Sequence, residues 1–202
     1  MTPVALVLAS GSPTRRAMLA NAGVPVAAVD VPDVDEPAVR RTLTDSGATT
    51  EHAAMTLAEQ KARAVARSRP GALVLGADQM LETPDGAWLD KPSDRTVARA
   101  QLIGLRGTTH RLVSAAVLVR DSALVWEGSD SARLTMRAFS DVFLDTYLDT
   151  VGDDVTGTVG GYRLEGPGVQ LFSCVEGDVF TVLGLPLLPL LEALRTLGVS
   201  QT

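Results

Sequence analysis

Four cations, two carboxylates and two hydroxyls in this chain stand where they could handle phosphate. Ser10-Gly11-Ser12-Pro13-Thr14-Arg15-Arg16 follows the apolar run Val4 to Ala9. Such a run suits a strand buried on both faces. Pro13 has the fixed φ of a first helical residue, and Ser12 before it can serve as N-cap. A strand that turns into a helix N-terminus offers free N–H groups and the positive end of the helix dipole to an anion. Arg15 and Arg16 add forked, permanently charged donors that match phosphate oxygens. Ser10 and Ser12 add hydroxyl donors. An ordinary capped α/β turn with two surface arginines would be spelled the same way. The turn is not a P-loop, because the chain contains no G-x-x-x-x-G-K-[ST] run.

The carboxylates and lysines fall in separate settings. Asp78 closes a second apolar run, Ala72 to Ala77. Ligands of open α/β sheets gather at the carboxyl ends of strands, so Asp78 is expected on the same edge as Ser10 to Arg16. Pro32-Asp33-Val34-Asp35-Glu36-Pro37 reads as a stiff acidic loop of the kind that suits a hard divalent cation, or as a solvated turn. Lys+Arg number 18, yet only Lys61 and Lys91 are lysines. Lys61 lies on an apolar stripe of Ala54, Leu57, Ala58, Ala62 and Val65. A lysine there either snorkels or points into a polar site at the edge of the core. Lys91 follows a hairpin pattern, Met80-Leu81-Glu82, a turn at Thr83 to Gly86, then Trp88-Leu89.

The elements that must carry these groups alternate between strand and helix. Strands are expected at Val4–Ala9, Val26–Val31, Ala72–Asp78, Thr109–Val119, Ala123–Met136, Val169–Val175 and Val179–Val182. Helices are expected after Pro13, from Thr49 or Thr50 to Arg69, after a Ser93 cap with Val97, Ala100 and Leu105 inward, after Ser140, and from Gly184 to Leu197. The glycine-dense stretch Gly157 to Gly168 permits close approach to a ligand or tight crossings. His110 reads as a structural hydrogen-bonding residue and His52 as a surface residue. Cys174, the single cysteine, sits in an apolar run and is expected in the core.

A chain of 202 residues makes one domain over 1–202, closed up as two lobes whose boundary composition does not place. Thr109 to Ala138 with the next helix is expected to form most of the outer lobe. The net charge of −6 speaks against non-specific binding of nucleic acid. No apolar run reaches the roughly 18–20 residues of a membrane span. The first residues lack a charged n-region and cleavage site, which points to the cytoplasm.

In order along the chain, Leu8-Ala9-Ser10-Gly11-Ser12-Pro13 with Arg15-Arg16, Asp35-Glu36, Lys61-Ala62-Arg63-Ala64, Gly76-Ala77-Asp78, Lys91-Pro92, Leu105-Arg106-Gly107 with His110, and Gly184-Leu185-Pro186-Leu187 resemble the Maf family of nucleoside triphosphate pyrophosphatases. The resemblance implies an α/β fold, a mixed twisted sheet with helices on both sides and two lobes around a nucleotide cleft, in a homodimer. It implies hydrolysis of a nucleoside triphosphate to monophosphate and pyrophosphate with a divalent metal, Mg²⁺ or Mn²⁺. It also implies clearance of non-standard nucleotides and a link to division arrest. By the resemblance Asp78 is the proton acceptor that activates water. Glu36 is a functional acid near the metal, with Asp78 as its companion. Arg15, Arg16, Lys61 and Lys91 surround the triphosphate, and Ser10 and Ser12 belong to the phosphate turn.

Three positions depart from the branch of the family acting on dTTP and UTP. Gln79 stands where that branch has threonine, Glu165 where it has glutamine, and Thr158 where it has lysine. Gln79 and Glu165 resemble the branch acting on 7-methyl-GTP. A carboxylate at 165 can accept from a guanine edge or pair with a methylated, positively charged purine. It can equally brace its own loop. Two rival readings remain: a nucleotidyltransferase, whose L-A-x-G-x-G-T-R turn resembles Leu8 to Arg15 except at Pro13, and a nucleotide-binding division regulator without catalysis.

Overall fold

The computed structural model describes residues 4–199. It is a mixed α/β fold around a seven-stranded sheet of order β2-β1-β3-β5-β6-β7, with β4 paired to β3. The strands are β1 (Leu6–Ala9), β2 (Val26–Asp30), β3 (Leu73–Glu82), β4 (Trp88–Leu89), β5 (Thr109–Arg120), β6 (Ala123–Met136) and β7 (Phe172–Glu176). The helices are α1 (Pro13–Asn21), α2 (Glu36–Asp45), α3 (Thr50–Ala66), α4 (Arg95–Leu105), α5 (Asp141–Val151), α6 (Val179–Val182) and α7 (Leu187–Thr196). β1 runs parallel to β2 and β3, while β3–β4 and β6–β7 are antiparallel.

The chain divides into two compact units. The first takes the chain up to Gln79, Ser114–Asp130 and the chain from Gly184 onward; the second takes Met80–Val113 and Ser131–Leu183. The expected outer lobe is therefore corrected: residues 114–130 belong with the N-terminal half, because the long strands β5 and β6 each serve both units.

In the first unit the core is built from Leu6, Leu8, Leu19, Leu57, Leu73 and Leu75, all fully buried. Each such side chain contributes about 1.5–3 kcal/mol by leaving water. The β1–β3 register ends at Ala9 opposite Gly76. A Cβ at Gly76 would lie 2.2 Å from the Ala58 carbonyl oxygen and 2.7 Å from the Ala62 nitrogen. The backbone of α3 thus rests directly on β3, which only glycine allows. Side chains two apart on a strand share a face, so Asp78 points to the side that carries α3.

In the second unit Leu81, Leu102, Leu105, Leu112, Leu134, Leu144 and Tyr162 share one core. The glycine-dense stretch forms short 3-10 turns, and its glycines serve tight crossings: a Cβ at Gly160 (φ +76) would stand 2.6 Å from Leu81 Cδ1. His110 is buried and shares a 2.6 Å hydrogen bond with the Tyr162 hydroxyl. Tyr147 donates to the Gly161 carbonyl at 3.0 Å, and burial pushes its hydroxyl up to about 12.

Burial lowers the His110 imidazole from 6.5 to about 4. The unfolded chain therefore takes up this proton first as pH falls. The stability from a neutral His110 is complete above pH 6.5 and is lost as pH drops from 6.5 through about 4. By linkage the loss reaches about 2.5 kcal/mol at pH 4.5. Urea unfolding of His110→Phe at pH 7.5 and 4.5 should show a loss smaller than wild type by that amount. Equal losses in the two proteins would remove the assignment.

Several expectations change. Asp35 caps α2, accepting from the Ala38 nitrogen at 3.0 Å, so Glu36 and Pro37 open a helix rather than complete a loop. Asp78 lies within β3 rather than at its end. Asp94 replaces Ser93 as the cap of α4, and Ala98, Leu102 and Leu105 face inward while Val97 and Ala100 are exposed. Val169–Leu171 belongs to a 3-10 turn and Val179–Val182 to α6. Cys174 is exposed, because β7 is the last strand of the sheet.

Candidate active site

The site grows from the carboxyl end of β1. Ser10 follows it directly and is buried. Its Oγ accepts from the Ser12 nitrogen at 3.2 Å and from Arg15 Nη1 at 3.3 Å. Ser12 Oγ caps α1 by accepting from the Arg15 nitrogen at 3.3 Å. Both oxygens act as acceptors here, and their O–H groups remain donors. The turn is therefore shaped as an anion site at a helix N-terminus.

Arg15 fastens that turn. Its Nε donates to the Gly184 carbonyl at 2.9 Å and its Nη1 to the Ala77 carbonyl at 2.9 Å. Burial lowers the Arg15 guanidinium from its ordinary value, opposed by the attraction of Asp78 and Glu36. Two of its three nitrogens are spent on the scaffold, so Arg15 joins β1, β3 and the approach to α7. Arg16 is exposed on the first turn of α1.

Asp78 is buried on β3. Its Oδ1 accepts from Lys61 Nζ at 2.6 Å, and the same ammonium stands 2.9 Å from Glu36 Oε1. The lysine on the apolar stripe therefore points into a polar site, as one of its two readings requires. An isolated ammonium at that depth would lose several kcal/mol of hydration. Two carboxylates offset that loss. Glu36 is about half-exposed, whereas Lys61 and Asp78 are almost enclosed. Asp78 Oδ2 is buried and has no hydrogen-bond partner among the described residues. Arg40 Nη2 lies 3.6 Å from it.

Among the residues expected in the site, Ser10, Ser12 and Arg15 form one bonded set and Glu36, Lys61 and Asp78 another, and the Arg15 bond to the Ala77 carbonyl brings the first set to the strand that carries Asp78. Gln79 Nε2 donates to Ser114 Oγ at 3.1 Å. Lys91 and Glu165 belong to the second unit. Lys91 is exposed two residues beyond β4. Glu165 lines a cavity of about 290 Å³ together with Tyr147, Tyr162, Arg163 and Asp154. Arg40 is absent from the sequence expectations. The signal for it was present: an Asp35 cap, Pro37 in the first turn, and Val39 with Leu43 at helical spacing imply a helix on which Glu36 and Arg40 are one turn apart.

The donor set can be tested against a divalent ion. No group of three or more His, Cys, Asp or Glu residues gathers among the described residues. The accessible carboxylate of Glu36, with the Asp78 carboxylate on the same Lys61 ammonium, nonetheless fits a hard ion that takes its remaining ligands from water and phosphate.

The family pattern described as Maf-like protein matches residues 5–197. The chain belongs to the Maf family. A protein of Mesorhizobium japonicum named 7-methyl-GTP pyrophosphatase is 52% identical over 96% of this chain and 96% of its own. One of Paramagnetospirillum magneticum named nucleoside triphosphate pyrophosphatase is 54% identical over 95% of this chain and 98% of its own. A solved nucleoside-triphosphatase, a dITP/XTP pyrophosphatase of Mycobacterium abscessus, is a remote likeness at TM-score 0.39 and 17% identity, covering 67% of this chain and 76% of its own. The Maf match spans both the Ser10 to Arg16 turn and the Lys61–Asp78 pair. No helix among the described residues is long and apolar enough to cross a membrane.

Proposed function

We propose that this chain hydrolyses a nucleoside triphosphate to the monophosphate and pyrophosphate, with a 7-methylated guanine as its preferred base. The observation that carries the reading is the Asp78 carboxylate, tied at Oδ1 to Lys61 and unmatched at Oδ2, beside a phosphate turn in a Maf chain. The turn and the N-terminus of α1 hold phosphate oxygens. Asp78 Oδ2 takes a proton from water as its oxygen attacks the α-phosphorus. The bond to the bridging oxygen breaks and pyrophosphate leaves. Lys61, Arg16 and Lys91 supply positive charge to the triphosphate, and positioning with charge stabilisation is most of what such a reaction needs. Glu36 and Asp78 would hold Mg²⁺ or Mn²⁺, which when bound neutralises charge on the phosphates.

The base preference rests on Glu165, on Gln79 and on the name of the Mesorhizobium relative. Pyrophosphate release from dTTP, UTP, GTP and 7-methyl-GTP, with Mg²⁺ or Mn²⁺, tests both parts. Wild type should act on the panel and prefer 7-methyl-GTP, and release from none of the four would overturn the reading. Glu165→Gln should lower the preference for 7-methyl-GTP over UTP by about tenfold, the effect of one lost charged contact of about 1.4 kcal/mol. An unchanged preference would take Glu165 out of base recognition. The proposal includes a cytoplasmic homodimer that clears modified nucleotides. Light scattering that gives the mass of one chain would remove the dimer.

A further inference from the structure

One charged side chain at the Asp78 carboxylate has no task in the reaction above. Arg40 lies on α2, one turn after Glu36, with its side chain 13% exposed. Its Nη2 stands 3.6 Å from Asp78 Oδ2. That distance is long for a hydrogen bond but short for an ion pair. Lys61, from α3, holds Oδ1 at 2.6 Å. Two cations on two helices therefore face the two oxygens of one carboxylate. The terminal torsion of an aspartate is broad. One hydrogen bond at Oδ1 fixes a single oxygen and leaves the plane free to rock, whereas a second charge opposite Oδ2 sets the plane.

We propose that Arg40 is a positioning residue for hydrolysis, holding the Asp78 carboxylate plane so that Oδ2 meets the attacking water. An arginine that only decorated the surface of α2 would extend into solvent, and this one turns inward to Asp78. Because it is too far to donate to Oδ2, it leaves that oxygen's lone pairs for the water. The inference rests on the pyrophosphatase reading and adds to it a residue from a helix that carries Glu36 as well.

Steady-state kinetics on the best nucleotide of the panel test this, with Arg40→Met and Arg40→Lys beside wild type. Arg40→Met should lower kcat by roughly 10- to 100-fold, the scale of a misplaced catalytic group, with KM within about threefold. Arg40→Lys, which keeps the charge, should recover most of kcat. Thermal melting accompanies each variant, and Arg40→Gln carries the expectation of Arg40→Met should the latter not fold. A raised KM with unchanged kcat would overturn the proposal by making Arg40 a phosphate contact. Equal losses in the Lys and Met variants would overturn it by making Arg40 a packing residue, as would no loss in either. An inactive wild type would instead overturn the pyrophosphatase reading, and the role of Arg40 with it.

Discussion

Asp78→Asn is expected to lower the rate of pyrophosphate release by about 10³-fold while nucleotide binding stays close to wild type. The substitution is nearly isosteric, and its amide oxygen can still accept from Lys61 at the position of Oδ1. What disappears is a group able to take a proton, and a general base contributes roughly 10²–10⁴-fold. On the proposed reading nucleotide affinity arises elsewhere, in the Ser10 to Arg16 turn, so KM and kcat should separate. Release measured over the same nucleotide panel checks this, with circular dichroism to show that the variant folds. Activity within tenfold of wild type would mean that another group activates the water, and the role of Asp78 would reduce to holding Lys61.

The second large effect is on stability. Lys61→Met should destabilise the protein by about 3 kcal/mol, the lower end of what breaking a buried ion pair costs. The two carboxylates respond differently. Glu36 is about half-exposed and can turn to water, whereas Asp78 is enclosed and keeps the more distant Arg40 and the attraction of Arg15. A chain of this size should melt about 6–12 °C lower. Hydrolysis should fall as well, because Oδ1 loses its anchor. Urea unfolding and thermal melting give the comparison. A melting temperature within 2 °C of wild type would mean that Asp78 finds full compensation without the ammonium, and the buried pair would then be an adornment of the fold.

The strand, turn and helix around Ser10 to Arg16 were legible because their signals are local. Ser12, Pro13 and the apolar run before them each carry a rule that works within a few residues, and β1 and α1 follow. Lys61 was legible as an exception, a charged residue on an apolar stripe, and the structure supplies the two carboxylates that make the exception tolerable. α2 was missed for a physical reason. Two prolines and three acids in Pro32 to Pro37 weigh toward a loop, yet proline is welcome in a first helical turn and aspartate caps one. Missing α2 meant missing Arg40. Val179 to Val182 was misjudged because a short β-branched run has the same composition in a strand or a single helical turn. Cys174 was misplaced because apolar neighbours do not reveal that a strand is the last of its sheet. No local rule ties Gly184 to Arg15 either, since their hydrogen bond spans 169 positions.

That bond has a consequence for how the protein is made. Translation delivers Arg15 169 positions before the Gly184 carbonyl. Domains generally fold as units. Until Gly184 leaves the ribosome, Arg15 Nε lacks its 2.9 Å acceptor, and Ala77 alone of its two carbonyl partners is in place. A nascent chain, or one cut short before Gly184, therefore carries the Ser10 to Arg16 turn without one of the bonds that fasten it.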